Sequence, residues 1–172
     1  HAAFTYSIFL KFIGGLNPLT FYRKMKDVAL FAFSTSSSAA TIPVTLRTVN
    51  QDLGVNQNVA SFVVPVGATI NMDGTAIMQG LATVFIAQMS GIDLTLFQYI
   101  QVVLLAVATS IGTAAVPSAG TITLIIILQQ FNLPLEAIGI ILAVDRVLDM
   151  IRTSVNVTGD AAIACIVAKT EN

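Results

Sequence analysis

The chain has 172 residues, 55% of them hydrophobic and only 10% charged, with a net charge of −1 and a mean hydropathy of +0.84. Soluble domains carry about a quarter charged residues, so this composition belongs in lipid, and the lack of any Lys or Arg between Arg47 and Arg146 excludes a nucleic-acid partner. His1 is the single histidine and Cys165 the single cysteine, which leaves no material for a Ser-His or Cys-His catalytic arrangement, a zinc-hydrolase motif, a disulfide framework or a metal cluster.

The chain opens on Ala2 to Ile13, an apolar run too short and too interrupted by Lys11 to be a complete span of roughly 20 residues. It has neither the basic start nor the small-residue cleavage site of a signal peptide. We read residues 1–26 as the end of a transmembrane helix and a cytoplasmic linker, and expect the chain to be the C-terminal part of a longer protein.

Residues 27–50 follow the basic cluster Arg23, Lys24, Lys26. An apolar arm from Val28 to Phe33 leads to a tip of small polar residues, Ser34 to Ser38, and a second arm returns to Leu46. Neither arm can cross a bilayer, and two such arms with charges at their outer ends suit a re-entrant helical hairpin. The alternative is an ordinary span whose serines pack against neighbours. Residues 57–90 come next. Val59 to Met89 is long enough to span, but Gly67, Asn71, Asp73, Gly74 and Thr75 interrupt its middle with helix-weakening groups, as expected of a broken helix.

The pattern recurs in residues 97–131. Phe97 to Ile111 is apolar, Gly112 to Thr121 is small and polar around Pro117, and Ile122 to Leu128 is apolar again, predicting a second hairpin. Residues 135–168 form a last span. A hairpin followed by a span thus occurs twice, a pointer to a secondary transporter with discontinuous helices. Arg23, Lys24, Lys26, Arg47 and Lys169 fall at segment ends that this threading places together, opposite Asp93 and Glu136, so the basic ends should be cytoplasmic and the two units inverted. The expected fold class is an all-α polytopic membrane protein with two inverted re-entrant hairpins.

On the last helix Asp145, Asp149, Arg152, Asn156 and Asp160 recur at three- and four-residue spacing, which places them on one face flanked by Thr153. The stripe climbs about 22 Å of a roughly 30 Å hydrocarbon core. Each such charge costs about 2.5–3.5 kcal/mol near the bilayer centre, so the stripe must face protein, water, ions or itself. Asp149 and Arg152 can neutralise one another at i, i+3. One Arg cannot compensate three Asp, however, and Asn156 and Asp160 offer oxygens suited to a hard cation, while the Arg152 fork suits a carboxylate. Asn71, Asp73 and Thr75 add an amide, a carboxylate and a hydroxyl, and unwinding there would free main-chain carbonyls of Gly67 to Ile70. Asp73 reads equally well as a cap at the helix break.

Asn71-Met72-Asp73-Gly74-Thr75, Ser36-Ser37-Ser38, and Asp149-Met150-Ile151-Arg152-Thr153 continuing to Asn156-Val157-Thr158-Gly159-Asp160 resemble the motifs of the dicarboxylate/amino acid:cation symporters, the glutamate transporter family. The resemblance covers nearly the whole chain. It implies an elevator-type transport domain fragment of a multi-pass cell-membrane protein, homotrimeric at full length, that lacks most of its trimerising scaffold. It further implies that Arg152 binds the substrate side-chain carboxylate, Asp149 its ammonium, and Asn156, Thr153 and Thr75 its other polar groups, with backbone at Ser36, Ser38, Val116 and Gly120 completing the pocket. For the cations, the resemblance implies Gly67, Asn71, Asn156 and Asp160 at one site, Thr69, Met72, Ser110, Ile111 and Thr113 at a second, and Asp73 with Asn71 at a third.

Arg152 by the same resemblance favours glutamate, aspartate or a C4 dicarboxylate, because relatives for neutral amino acids tend to lack it. A second arginine that many relatives carry is absent here, where Ser36 and Met150 stand, and Arg146 is the nearest substitute. Hairpin two has fewer glycines than some relatives, which bears on gate flexibility. The expected function is secondary symport of a small anionic substrate with cations, sodium or protons, without an organic cofactor and without enzymatic activity. No Walker-type phosphate loop occurs. Two other readings use the same stripe, a channel that it lines and an intramembrane aspartyl protease, which Arg152 disfavours by holding both carboxylates ionised.

Overall fold

The computed structural model describes residues 1–171, which are helical throughout and joined by short connections. A π-helical turn, Ala2–Tyr6, runs into α1 (Ser7–Phe12). Asn17 then starts the next helix: its side chain accepts from the Leu19 amide at 2.9 Å, and Pro18 occupies the first turn, where its missing N–H costs nothing. That helix, α2 (Pro18–Thr35), takes in the basic cluster before reaching the serine-rich tip. At the tip Ser36 turns the chain with a left-handed φ of 52°, and Ser37 accepts from the Ala40 amide at 3.2 Å to begin α3 (Ser38–Gln51).

The interrupted helix is two helices, α4 (Gln57–Ile70) and α5 (Asp73–Met89), separated only by Asn71 and Met72. The break is shorter than the cluster from Gly67 to Thr75 suggests. The Gly67 carbonyl still accepts from the Asn71 amide at 2.8 Å and that of Ile70 from Met72 at 3.0 Å, so those two carbonyls are engaged, not freed. A capping box of Thr95 and Gln98 opens α6 (Leu96–Ile111). After a tip that again turns through a serine with positive φ, Ser118 at 61°, the chain returns as α7 (Ala119–Gln130). A short 3-10 turn, Leu135–Ala137, leads into α8 (Ile138–Thr170), whose 33 residues extend for about 50 Å.

Two apolar cores result. Phe21, Met25, Val28 and Ala32 of α2, Val49 of α3 and Ala60 and Val64 of α4 pack on the C-terminal half of α8 through Val157, Ala161 and Ala164. Met78, Ala82 and Ile86 of α5, Ala106 of α6 and Leu124, Ile127 and Leu128 of α7 form the second core, which reaches Ile141 on the N-terminal half of α8. Each hairpin thus contributes to a different core, and α8 joins the two.

The outer ends of the hairpins lie at opposite ends of the molecule. Gly14 and Leu16, Leu53 to Val55, and Cys165, Ala168 and Lys169 surround one depression, and Lys24 bonds the carbonyl of Asp52, the residue before Leu53. At the other end Ile92, Leu94, Phe131 and Leu133 pack into the second core. The tips therefore approach from opposite directions and meet: Ser37 donates its hydroxyl to the Ala115 carbonyl at 2.9 Å, and the Ala39 amide donates to the same oxygen at 3.2 Å.

Among the described residues, no helix is long and apolar enough to cross a membrane. The long candidates fail for stated reasons, since α4 and α5 are broken apart at Asn71 and Met72, and α8 carries Asp145, Arg146, Asp149 and Arg152 within its first half. Large apolar side chains nonetheless cover the outside, with Phe4, Phe12, Leu19, Phe62 and Leu96 each more than 70% exposed.

Candidate functional site

The polar groups collect where the two cores and the two tips converge. All nine residues proposed from sequence to meet a substrate, namely Ser36, Ser38, Thr75, Val116, Gly120, Asp149, Arg152, Thr153 and Asn156, line one cavity together with Met72, Ala114 and Ala115. Its volume is ≈ 10 Å³, the room of about one water.

Arg152 dominates the cavity and is 5% exposed. Its Nε and Nη2 donate to Asp149 Oδ1 at 2.9 and 2.6 Å, and Nη2 also reaches Asp145 Oδ1 at 3.4 Å. The i, i+3 neutralisation anticipated on α8 is therefore present, and it extends to Asp145 one turn earlier. The guanidinium is not exhausted by these bonds: among the described residues Nη1 is buried without a hydrogen-bond partner, as is the Ser36 hydroxyl. Gly120 lets hairpin two close on this group, because a Cβ there would stand 2.9 Å from Thr75 Cγ2 and 3.1 Å from Arg152 Cζ. The second tip is also fastened to α8 by the Ser118 amide, which donates to Asp149 Oδ2 at 2.8 Å.

Asn156 joins the stripe to the broken helix. Its Oδ1 accepts from the Gly74 amide at 2.7 Å, one of the donors left open at the start of α5, and its Nδ2 lies 3.3 Å from Thr75 Oγ1 and 3.4 Å from Met72 Sδ. Gly74 is required for this approach, since a Cβ would meet the Arg152 carbonyl at 2.8 Å.

The first proposed cation set is also assembled. Asn71 Nδ2 donates to Asp160 Oδ1 at 2.9 Å and to the Asn156 carbonyl at 3.2 Å, and Gly67 packs so closely on Asp160 that a Cβ would lie 2.7 Å from Oδ1. Asp160 is 2% exposed and has no basic partner among the described residues. The second set is less convergent. The Thr69 hydroxyl bonds the Val66 carbonyl at 3.0 Å and that of Ser110 the Val107 carbonyl at 2.9 Å, while Thr113 turns back onto Thr109 and Thr123. Thr69 and Ile111 are exposed. In the third set Asp73 and Asn71 point apart: Asp73 Oδ2 accepts from Tyr6 Oη at 2.9 Å and lies 2.8 Å from His1 Nε2, whereas the Asn71 amide faces Asp160. Among the described residues no three His, Cys, Asp or Glu side chains converge on a metal position.

Three members of the constellation were not singled out as site residues in the sequence. Gln79 is fully buried; its Nε2 donates to the Gly120 carbonyl at 3.0 Å and Thr123 Oγ1 at 2.7 Å, and its Oε1 accepts from Thr109 Oγ1 at 2.9 Å, so one amide ties α5 to both arms of hairpin two. Its i+4 spacing from Thr75 was the available signal. Tyr6 and Thr121, which bonds Asp145 Oδ1 at 2.5 Å, carried none, because their partners are distant in sequence.

Beside this polar site lies a larger cavity of ≈ 490 Å³, walled mostly by apolar side chains that include Ile77, Leu81, Phe85, Leu148 and Ile151, with Arg152 also in its lining. Its apolar walls suit hydrocarbon, not a small anion.

Residues 1–170 match the model of the sodium:dicarboxylate symporter family. Among curated proteins, the chain is 48% identical over 151 residues to an excitatory amino acid transporter of Caenorhabditis elegans, covering 88% of this chain and 30% of that protein. It is equally 48% identical over 151 residues to excitatory amino acid transporter 2 of Homo sapiens, covering 88% of this chain and 26% of the human protein. Against human excitatory amino acid transporter 5 it is 43% identical over 168 residues, 98% of this chain and 30% of that one. The chain thus spans less than a third of the length of these relatives, all of which are named as transporters and none as an enzyme.

Proposed function

Because the chain belongs to the sodium:dicarboxylate symporter family, we propose that it carries the substrate and cation sites of a secondary active symporter, which takes up an acidic amino acid or C4 dicarboxylate together with sodium by alternating access. The observation that carries this reading is the single cavity in which two oppositely directed hairpin tips, a broken helix and the α8 stripe enclose the Arg152 guanidinium. Two of its polar atoms without a hydrogen-bond partner among the described residues, Arg152 Nη1 and Ser36 Oγ, are a charged donor and a hydroxyl suited to a carboxylate.

In this account α2–α3 and α6–α7 are re-entrant hairpins that enter from opposite faces of the membrane, and the exposed apolar exterior meets lipid and the remaining spans of a trimer in the cell membrane. A cavity of ≈ 10 Å³ is too small for a dicarboxylate, so binding requires a hairpin to move. Breaking the Ser118 amide bond to Asp149 opens one wall and releases a carboxylate that can then receive the substrate ammonium. The substrate side-chain carboxylate takes the open edge of Arg152. Sodium is co-substrate. Asp160 Oδ1 and the Asn156 carbonyl converge on the Asn71 side-chain amide, which must turn away for these oxygens to take the ion, and because Asp160 has no basic partner among the described residues, an ion there offsets a buried charge.

The contact between the tips favours a closed compartment over a continuous pore. Counterflow of labelled aspartate into liposomes preloaded with unlabelled aspartate and holding the full-length protein tests this. A transporter accumulates label transiently against its gradient, and a channel equilibrates it monotonically.

A further inference from the structure

Asp145 is a buried carboxylate, 3% exposed, that the account above does not use. Its Oδ1 is shared unequally: Thr121 Oγ1 of α7 donates to it at 2.5 Å, whereas Arg152 Nη2 stands off at 3.4 Å. Asp149 makes the opposite choice and takes Nε and Nη2 of Arg152 at 2.9 and 2.6 Å. Two carboxylates thus flank one guanidinium, and only one of them engages it closely. The other edge, Nη1, has no hydrogen-bond partner among the described residues, and Arg152 lines the cavity.

We propose that Thr121 is a specificity-determining residue: its hydroxyl holds Asp145 away from Arg152, so that the guanidinium retains a free edge for the carboxylate of an acidic substrate. A fork with five donors can serve two carboxylates in full. Without the threonine hydroxyl, Asp145 would lose its shorter hydrogen bond in a buried site, where the donor already within reach is Arg152 Nη2. Asp145 would then draw on the guanidinium through Nη2, the atom it already faces at 3.4 Å, and weaken what Arg152 offers the substrate side chain more than what other groups offer the amino-acid backbone of the substrate. Thr121 belongs to hairpin two, so the carboxylate is released whenever that arm moves away. The hairpin position thereby sets the selectivity of the pocket.

This inference rests on the acidic-substrate reading of the site. Its test compares the full-length protein with Thr121→Val, nearly isosteric but without the hydroxyl, and Thr121→Ser, which keeps it. Binding of aspartate and of its neutral isostere asparagine is measured by calorimetry at saturating sodium. The expected result is a loss of about tenfold in aspartate affinity in Thr121→Val, the size of one charge-assisted hydrogen bond, with less than a twofold change for asparagine and recovery in Thr121→Ser. Thr121→Ala removes the same hydroxyl with a smaller side chain and serves if the valine variant does not assemble. Equal losses for both ligands would make Thr121 a packing residue and overturn the inference, as would an unchanged aspartate preference. A wild-type protein with no preference for aspartate would defeat the acidic-substrate reading itself, and the inference with it.

Discussion

Ser37 donates its hydroxyl to the carbonyl of Ala115 across 2.9 Å, and this bond makes the two hairpin tips one seam over the polar stripe of α8. The residues are 78 positions apart, and each tip turns through a serine held at positive φ, Ser36 next to Ser37 and Ser118 three residues after Ala115. Such left-handed serines are sparsely populated and cost on the order of 1 kcal/mol or more, which suits segments that change conformation.

If the seam must part for transport, tethering it stops the cycle. The full-length Ser37→Cys, Ala115→Cys protein, joined by a short reducible thiol cross-linker, is expected to lose aspartate uptake and regain it on reduction. Each single variant should be unaffected by the reagent. Uptake that survives complete cross-linking would place the moving gate elsewhere.

Asn156 accepts from the Gly74 amide in a site that is almost fully buried. Asn156→Ala leaves that N–H without a partner, which should cost about 1–3 kcal/mol of stability. The half-saturating aspartate concentration should rise at least roughly tenfold, because Thr75 loses its tether in the same step. Thermal unfolding in detergent and uptake kinetics read the two effects.

The glycines of α5 offer a matched pair. Gly74→Ala drives a Cβ to 2.8 Å from the Arg152 backbone carbonyl, which no rotamer change relieves, whereas a Cβ on Gly80 meets nothing within 4 Å. Gly74→Ala is expected to destabilise by about 1–3 kcal/mol and to abolish aspartate binding. Gly80→Ala should leave binding intact and raise stability by about 0.5–1 kcal/mol through the lower entropy of its unfolded chain. Melting curves of the two variants side by side decide this.

Asp160 accepts from Asn71 and forms no ion pair among the described residues. Removing its charge in Asp160→Asn should raise the sodium concentration needed for half-maximal aspartate binding at least about tenfold, with aspartate affinity recovering as sodium is increased. A sodium dependence equal to that of the wild type would remove Asp160 from the ion site.

Much of this arrangement is legible in the sequence because it is local. The Ser34–Ser38 tip, the break near Asn71 and the one-sided stripe from Asp145 to Asp160 each follow from residue chemistry within a few turns of helix. What the sequence hides is pairing over distance. Gln79 is one amide in an apolar run until its partners Thr109, Gly120 and Thr123 arrive from both arms of hairpin two. The Thr121 to Asp145 bond joins α7 to α8 in the same way. The break is also shorter than Gly67, Asp73, Gly74 and Thr75 suggest, because the carbonyl of Gly67 keeps its partner, α4 continues to Ile70 and α5 begins at Asp73.

The most direct measurement is uptake of labelled aspartate into proteoliposomes containing the full-length protein, with inward sodium and proton gradients imposed separately and Arg152→Ala as the comparison. The account predicts uptake driven by sodium and lost in Arg152→Ala. Uptake indifferent to both gradients, or retained without the Arg152 guanidinium, would contradict it.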